Sequence, residues 1–413
     1  MARRRASLAA AALIGLVVVS VPLAAAGVEL TPGAGSNPPR WVLGVYGNGF
    51  GLTPGLFLGL FYAAVLLWIA TALLAARIGM RAVAWVAGTL LVIFGLAPPL
   101  LSLDVFSYIS YARLGVEHGL NPYESAPAEI AGDLAADRVD DFRFAVSVYG
   151  PLFTLGSYPI GAASVPVALW IFKAIAVLSL AALAWLTARL AVIRGVSAPF
   201  AVSFVVLNPL TLVHVAAGAH NDGLMVAIGM AGALAALGGS AARSGALVVA
   251  SAALKATGAL LAPFALLGSA DRRAWIKGAA ITVLVLAAVT FAAFGASAAE
   301  ALGVAGDNQA TVSRYSVPST LSRALGLDID PIRAIFIVGY LISLIGLCFW
   351  VLRGADWIRA AGWATFGLLV ATAWMVPWYV VWLLPLAAIS RDRPLIAGAV
   401  ALTLFQTINA VPV

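Results

Sequence analysis

The sequence is short of charge, with Asp, Glu, Lys and Arg supplying only 10% of its 413 residues. A water-soluble domain carries about 25%, so a surface wholly bathed in water is excluded. Cysteine is reduced to Cys348, set inside an apolar run. That rules out a disulfide framework and a cysteine-built metal site. Lysine occurs only at 173, 255 and 277, and histidine only at 118, 214 and 220. A glycine-rich phosphate loop joined to a strand is also missing, so nothing points to a nucleotide. No internal repeat or low-complexity linker is visible.

What is present is apolar: 63% of the residues are hydrophobic. A bilayer core of about 30 Å is crossed by a helix of about 20 apolar residues, and the chain offers such runs repeatedly. We expect an all-α, polytopic transmembrane protein forming a single integral membrane domain over residues 1–413. About thirteen membrane segments are read near 7–26, 55–76, 82–101, 165–188, 197–217, 222–239, 245–254, 257–269, 276–295, 332–352, 359–374, 378–390 and 395–411. The 1–26 segment follows Arg3-Arg4-Arg5 and ends in Ala24-Ala25-Ala26, which suits a signal peptide as well as an anchor. Its apolar stretch is long for a signal peptide, so a retained anchor is the expectation.

The net charge of +7 is topological. Arg77, Arg81, Arg189, Arg194, Arg243, Arg272, Arg273, Lys277, Arg353, Arg359, Arg391 and Arg393 fill short gaps between apolar runs. These gaps are therefore read as cytoplasmic, which places the protein in the cell membrane. A nucleic-acid partner is not expected. Two long outer segments remain, 102–164 and 296–331, and all acids except Asp271, Asp356 and Asp392 fall on the outer side. Part of that asymmetry is loop length. The 27–54 loop, with Trp41, Tyr46 and Phe50, reads as an interfacial segment.

Segments 245–254 and 257–269 are each too short to span, yet cytoplasmic arginines flank the pair. A hairpin of two half-length helices satisfies both facts, with Lys255 near its tip. Broken backbone at membrane depth is tolerated where protein or a wet cavity covers it, so Lys255 is expected to face a cavity.

The densest pattern follows the third segment: Asp104-Val105-Phe106-Ser107-Tyr108, then Tyr111, and later Asn121-Pro122-Tyr123. On a helix, Asp104, Tyr108 and Tyr111 share one face. A carboxylate there can take a proton from a hydroxyl, with tyrosines lining a sugar slot; it can equally cap a helix at the interface. A second cluster is Asn208-Pro209-Leu210, then His214 and the tight turn His220-Asn221-Asp222. It suits a sugar hydroxyl or a divalent metal, but also an ordinary turn, and spacing gives no third ligand. Lys173 and Lys255 lie within apolar segments, where a charge is costly and functional by default; Lys173 can instead snorkel outward. Arg314 with Lys255 could neutralise a phosphate, or Arg314 could be a solvated loop charge. Tyr149-Gly150-Pro151 reads as the turn opening an interfacial helix. Trp374, Trp378, Tyr379 and Trp382 form an aromatic belt or a cavity wall.

In order and spacing these pieces resemble the polyprenyl-phosphate-sugar-dependent glycosyltransferases of GT-C fold. They look most like the bacterial polyprenol-phosphomannose-dependent α-mannosyltransferases of lipomannan-type envelope synthesis. The likeness runs from Asp104-Val105-Phe106-Ser107-Tyr108 through Asn121-Pro122-Tyr123, Tyr149-Gly150-Pro151-Leu152, Asn208-Pro209-Leu210, His220-Asn221-Asp222 and Lys255 to Trp378-Tyr379. It implies a GT-C helical fold with interfacial helices in the outer loops, and a site on the extracytoplasmic side. Asp104 would be the base, Lys255 and Arg314 the phosphate holders. Tyr108, Tyr111, Asn121, Tyr123, Tyr149, Lys173, His220, Asn221, Asp222, Trp378 and Tyr379 would contact substrates. The donor would be a β-linked polyprenyl-phosphate sugar, the acceptor an envelope glycolipid or polysaccharide, and the product α-linked by inversion. One departure is that many relatives pair two acids, whereas Leu103 and Val105 flank Asp104. A secondary transporter or lipid flippase would also explain the hairpin and the buried lysines, but not polar residues gathered in outer loops.

Overall fold

A computed structural model of the chain describes residues 2–32, 38–140, 142–299 and 312–409, and every regular element among them is helical. Each of the thirteen apolar segments read from the sequence falls on a helix or a helix pair. Five helices are long and apolar enough to cross a membrane alone: Ala6–Ala24, Pro54–Arg77, Val165–Ile193, Arg272–Phe294 and Ile329–Leu352. The others among the described residues are shorter, so five of the expected segments, or six if a bent pair is one span, are long enough to cross fully.

That bent pair is the first departure from the sequence reading. The sequence reads 197–217 as one membrane segment. It is instead Ala198–Val206 followed by Thr211–Ala217, turned by 64°. Pro209 lacks the N–H that a continuous helix needs. Asn208 stabilises the bend: its Oδ1 accepts from the Leu210 and Thr211 amides at 2.9 and 3.4 Å, and its Nδ2 donates to Thr403 Oγ1 at 3.1 Å. The chain leaves the bend as a π-helical turn over Thr211–Ala217, a widened form common at functional sites.

The Lys255 hairpin is present as expected. Helix Ala241–Leu254 stops at Lys255, whose φ of −154° and ψ of 128° are extended, and short helices resume over Ala256–Leu267. Helix Ala241–Leu254 lies against Arg272–Phe294 along a seam of small residues. A Cβ on Gly245 would stand 2.2 Å from the Trp275 carbonyl, and one on Gly278 2.0 Å from that of Ala242. Little of the apolar length of Arg272–Phe294 or Ile329–Leu352 is buried, as suits helices facing lipid.

Within 102–164, helix Asp104–Val116 packs on helix Pro151–Gly161. Arg113 ties the layer together, donating to Asp133 at 2.7 Å and to the Gly161 carbonyl at 3.2 Å. Burial alone would raise the Asp133 carboxyl, but Arg113 and the Ala135 and Ala136 amides hold it below its ordinary value. In the 296–331 segment, residues 300–311 lie outside the described residues. At the opposite end of the bundle, Arg194 pairs with Asp356 and Arg359 with Asp392.

Candidate active site

A cavity of about 160 Å³ opens where the Asp104 helix, the Lys255 hairpin tip and the segment after Thr372 converge. Asp104, Ser107 and Tyr111 form one wall, and Lys255, Ala256 and Thr257 another. Trp374, Val376, Trp378 and Tyr379 face them, with the stretch from Phe142 to Tyr149 closing the side. Two groups expected to act together, a carboxylate and a lysine far apart in sequence, thus share one space.

Asp104 begins its helix, and its amide is held by Ser102 Oγ at 3.2 Å. A carboxylate in this first turn is favoured by the positive end of the helix. Its side chain keeps 28% exposure, while Oδ2 lies 3.2 Å from Nδ1 of the fully buried His220. Burial pulls the carboxyl upward, but His220, Lys255 and Ser102 together outweigh it and hold Asp104 below its ordinary value. The group therefore stands in the cavity as a carboxylate at neutral pH.

Lys255 reaches the cavity from the helix break. Its Nζ donates to Asp222 Oδ1 at 2.8 Å, and it lies over the rings of Tyr379 and Trp382 at 4.9 and 5.5 Å. The same Asp222 oxygen accepts from Trp382 Nε1 at 2.6 Å. Asp222 Oδ2 is buried without a partner among the described residues. The Lys255 tip is thus level with the turn that opens helix Asp222–Leu237.

The tyrosines divide differently from the expectation. Tyr111 lines the cavity, but its hydroxyl donates to the Ala145 carbonyl at 2.8 Å. Tyr108 turns into the core: it packs edge-on against Tyr149 and Phe153, and its hydroxyl accepts from the Asn221 amide at 3.4 Å. The cavity face of this helix runs through 104, 107 and 111, so Ser107 takes the place expected of Tyr108. The spacing of three carried that signal as well as the spacing of four.

Three residues expected at the substrate have hydrogen-bond partners within the protein. Asn121 donates to the Phe294 carbonyl at 2.9 Å and to Ser297 Oγ at 2.7 Å. Tyr123 donates to the Tyr149 carbonyl at 2.9 Å. Both are absorbed in fastening the loop. Lys173 is buried and donates to the Ala217 carbonyl at 2.6 Å, below the His220 turn. Arg314 is exposed and outside the cavity wall. Its neighbour Ser313 bonds the carbonyls of Ala373 and Met375, on either side of Trp374, which puts Arg314 beside the wall rather than in it.

His220, Asn221 and Asp222 sit one layer behind the cavity, buried against its walls. Tyr149 lines the cavity, as do Trp378 and Tyr379. His220 stacks on Trp378 with ring centroids 3.8 Å apart, and Tyr379 stacks on Trp382 at 4.0 Å. Among the described residues no three His, Cys, Asp or Glu side chains are grouped to hold a metal ion. Thr257, two residues beyond Lys255, also lines the cavity, and its place at the hairpin tip is its one signal in the sequence.

Comparison with known proteins identifies the family of the chain. Residues 8–271 match the family described as α-(1→6)-mannopyranosyltransferase, N-terminal domain. Residues 148–411 match glycosyltransferase family 87. An α-(1→6)-mannopyranosyltransferase A of Mycobacterium tuberculosis is 29% identical over 343 residues, covering 75% of this chain and 66% of the relative. An α-(1→6)-mannopyranosyltransferase A of Corynebacterium glutamicum is 29% identical over 144 residues, covering 34% of this chain and 29% of the relative. The chain thus spans just under two thirds of the first relative's length and under a third of the second's. No solved structure matches it.

Proposed function

From the premise that the chain belongs to the α-(1→6)-mannopyranosyltransferase family and to glycosyltransferase family 87, we propose that it is a membrane mannosyltransferase. It moves mannose from a polyprenyl-phosphate-mannose donor to a hydroxyl of an envelope glycolipid or polysaccharide. The observation that carries this reading is the pairing of Asp104, kept as carboxylate, with Lys255 on facing walls of one cavity.

Asp104 takes the proton of the acceptor hydroxyl as its oxygen attacks the anomeric carbon. The bond from that carbon to the phosphate oxygen breaks, and the electron pair leaves on the polyprenyl phosphate. A single in-line displacement inverts the carbon, so a β-linked donor gives an α-linked product. Lys255 stabilises the charge gathering on the departing phosphate, with Arg314 at the rim as a second cation. Trp378 and Tyr379 offer aromatic faces to a sugar ring. The relatives' names suggest an α-(1→6) bond. The cavity end is assigned to the extracytoplasmic side, because arginines collect at the opposite end of the bundle.

The test is a proteoliposome assay with polyprenyl-phosphate-mannose and a mannan oligosaccharide. Mannose should appear in the acceptor in α linkage, and Asp104→Asn should lower the rate by roughly 10²- to 10⁴-fold while the protein stays folded. Movement of intact donor across the bilayer without a new glycosidic bond would overturn the reading in favour of a transporter.

A further inference from the structure

The His220 turn is held from several sides at once. Lys173 pins the Ala217 carbonyl beneath it, the Tyr108 hydroxyl accepts from the Asn221 amide, and Asp222 is locked to Lys255 and Trp382. Ala219, just before the histidine, takes φ of 59°, the left-handed region that a residue with a Cβ rarely adopts. Such a conformation persists only where its surroundings over-determine it. Its result is to set Nδ1 of a fully buried imidazole 3.2 Å from Asp104 Oδ2, with no other polar partner for either ring nitrogen among the described residues and with Trp378 stacked on the ring. His220 is fully buried and does not line the cavity, and Asp104 is its polar link to it.

We propose that His220 is the positioning residue of the base: its Nδ1–H fixes Asp104 Oδ2, so that Oδ1 is the oxygen presented to the acceptor hydroxyl. The transferred proton ends on Oδ1, and His220 neither gains nor loses one in the step. The inference rests on the role proposed above for Asp104. The other ionisable groups packed around this pair are Lys255, Asp222, His214, Tyr108, Tyr111, Tyr149 and Tyr379, and each is unchanged in the variants below.

Two substitutions separate positioning from packing. His220→Phe keeps a ring stacked on Trp378 and removes the donor; His220→Asn supplies an amide N–H near the place of Nδ1. The Phe variant should lose kcat at least tenfold with little change in KM for donor, and its acid limb should move to higher pH. The Asn variant should recover most of kcat and the wild-type acid limb. Infrared titration of the Asp104 carboxyl, assigned with Asp104→Asn, reads the same shift without substrate. A Phe variant with wild-type kcat and an unmoved carboxyl titration would overturn the inference. If the carboxyl moves as expected but the wild type transfers no sugar, the pairing stands and the proposed reaction fails.

Discussion

Lys255 Nζ lies 2.8 Å from Asp222 Oδ1, an oxygen that also takes the Trp382 indole N–H. The cavity lysine is therefore tethered before any phosphate arrives. Asp222 is fully buried and Lys255 only 17% exposed, so neither partner is readily solvated once the other is removed. Lys255→Met should destabilise the protein by about 3–5 kcal/mol, the cost of leaving a buried charge unpaired. Adding Asp222→Asn should restore thermal stability in nanodiscs without restoring donor use. Recovery of both would show that Lys255 acts only through its partner.

The rate should fall with acid only below the ordinary carboxylate range. Asp104 works deprotonated, and its folded value is depressed, so activity is present above that value and is lost as pH falls through it. The same depression adds stability that is complete above the unfolded value of about 3.9 and fades below it. A rate–pH profile in proteoliposomes, corrected for unfolding, measures the limb. A limb above pH 5 would contradict the arrangement of His220, Lys255 and Ser102 around this carboxyl.

Lys173 should prove structural. Lys173→Met removes the donor to the Ala217 carbonyl and leaves a buried acceptor unsatisfied, at about 1–3 kcal/mol. A lowered unfolding temperature with an unchanged KM for donor is the expected pair of results. A raised KM with normal stability would return Lys173 to the substrate.

Gly150 joins the two sides of the cavity. Its amide donates to the Leu254 carbonyl at 3.0 Å, one residue before Lys255, and a Cβ there would meet the Ala253 carbonyl oxygen at 2.1 Å. Because the obstacle is backbone, Gly150→Ala must push the hairpin tip away, at about 1–3 kcal/mol. Transfer should drop while the distant Arg194–Asp356 pair, at the far end of the bundle, is undisturbed. Hydrogen exchange would locate the loosening at 250–258.

Much of this was legible in the sequence because membrane helices obey a strong local rule. Runs of apolar residues became helices, the short pair around Lys255 became a broken hairpin, and Asp104 began a helix at the cavity. What stayed hidden depended on partners distant in the chain. Asn121 and Tyr123 look like sugar ligands until Phe294, Ser297 and Tyr149 claim their polar atoms. The choice between Ser107 and Tyr108 turns on a rotation of one helix that only packing against Phe153 and Phe172 sets. The 64° bend needed Thr403, 195 residues from Asn208. Arg314 is exposed beside the cavity wall, a placement at the rim that its sequence neighbours did not disclose.

The glycine seam between Ala241–Leu254 and Arg272–Phe294 bears on the site from its lipid side. Lipid tails are as oily as the helices, so no solvent pressure drives the two together; close van der Waals approach has to do it. At Gly245 and Gly278 the backbones touch because a side chain is missing from each. The depth at which Lys255 is presented thus depends on two vacancies some distance beneath it. A single methyl at either would act as a shim, prying the outer helix off and tilting the lysine's support without altering any group in the cavity.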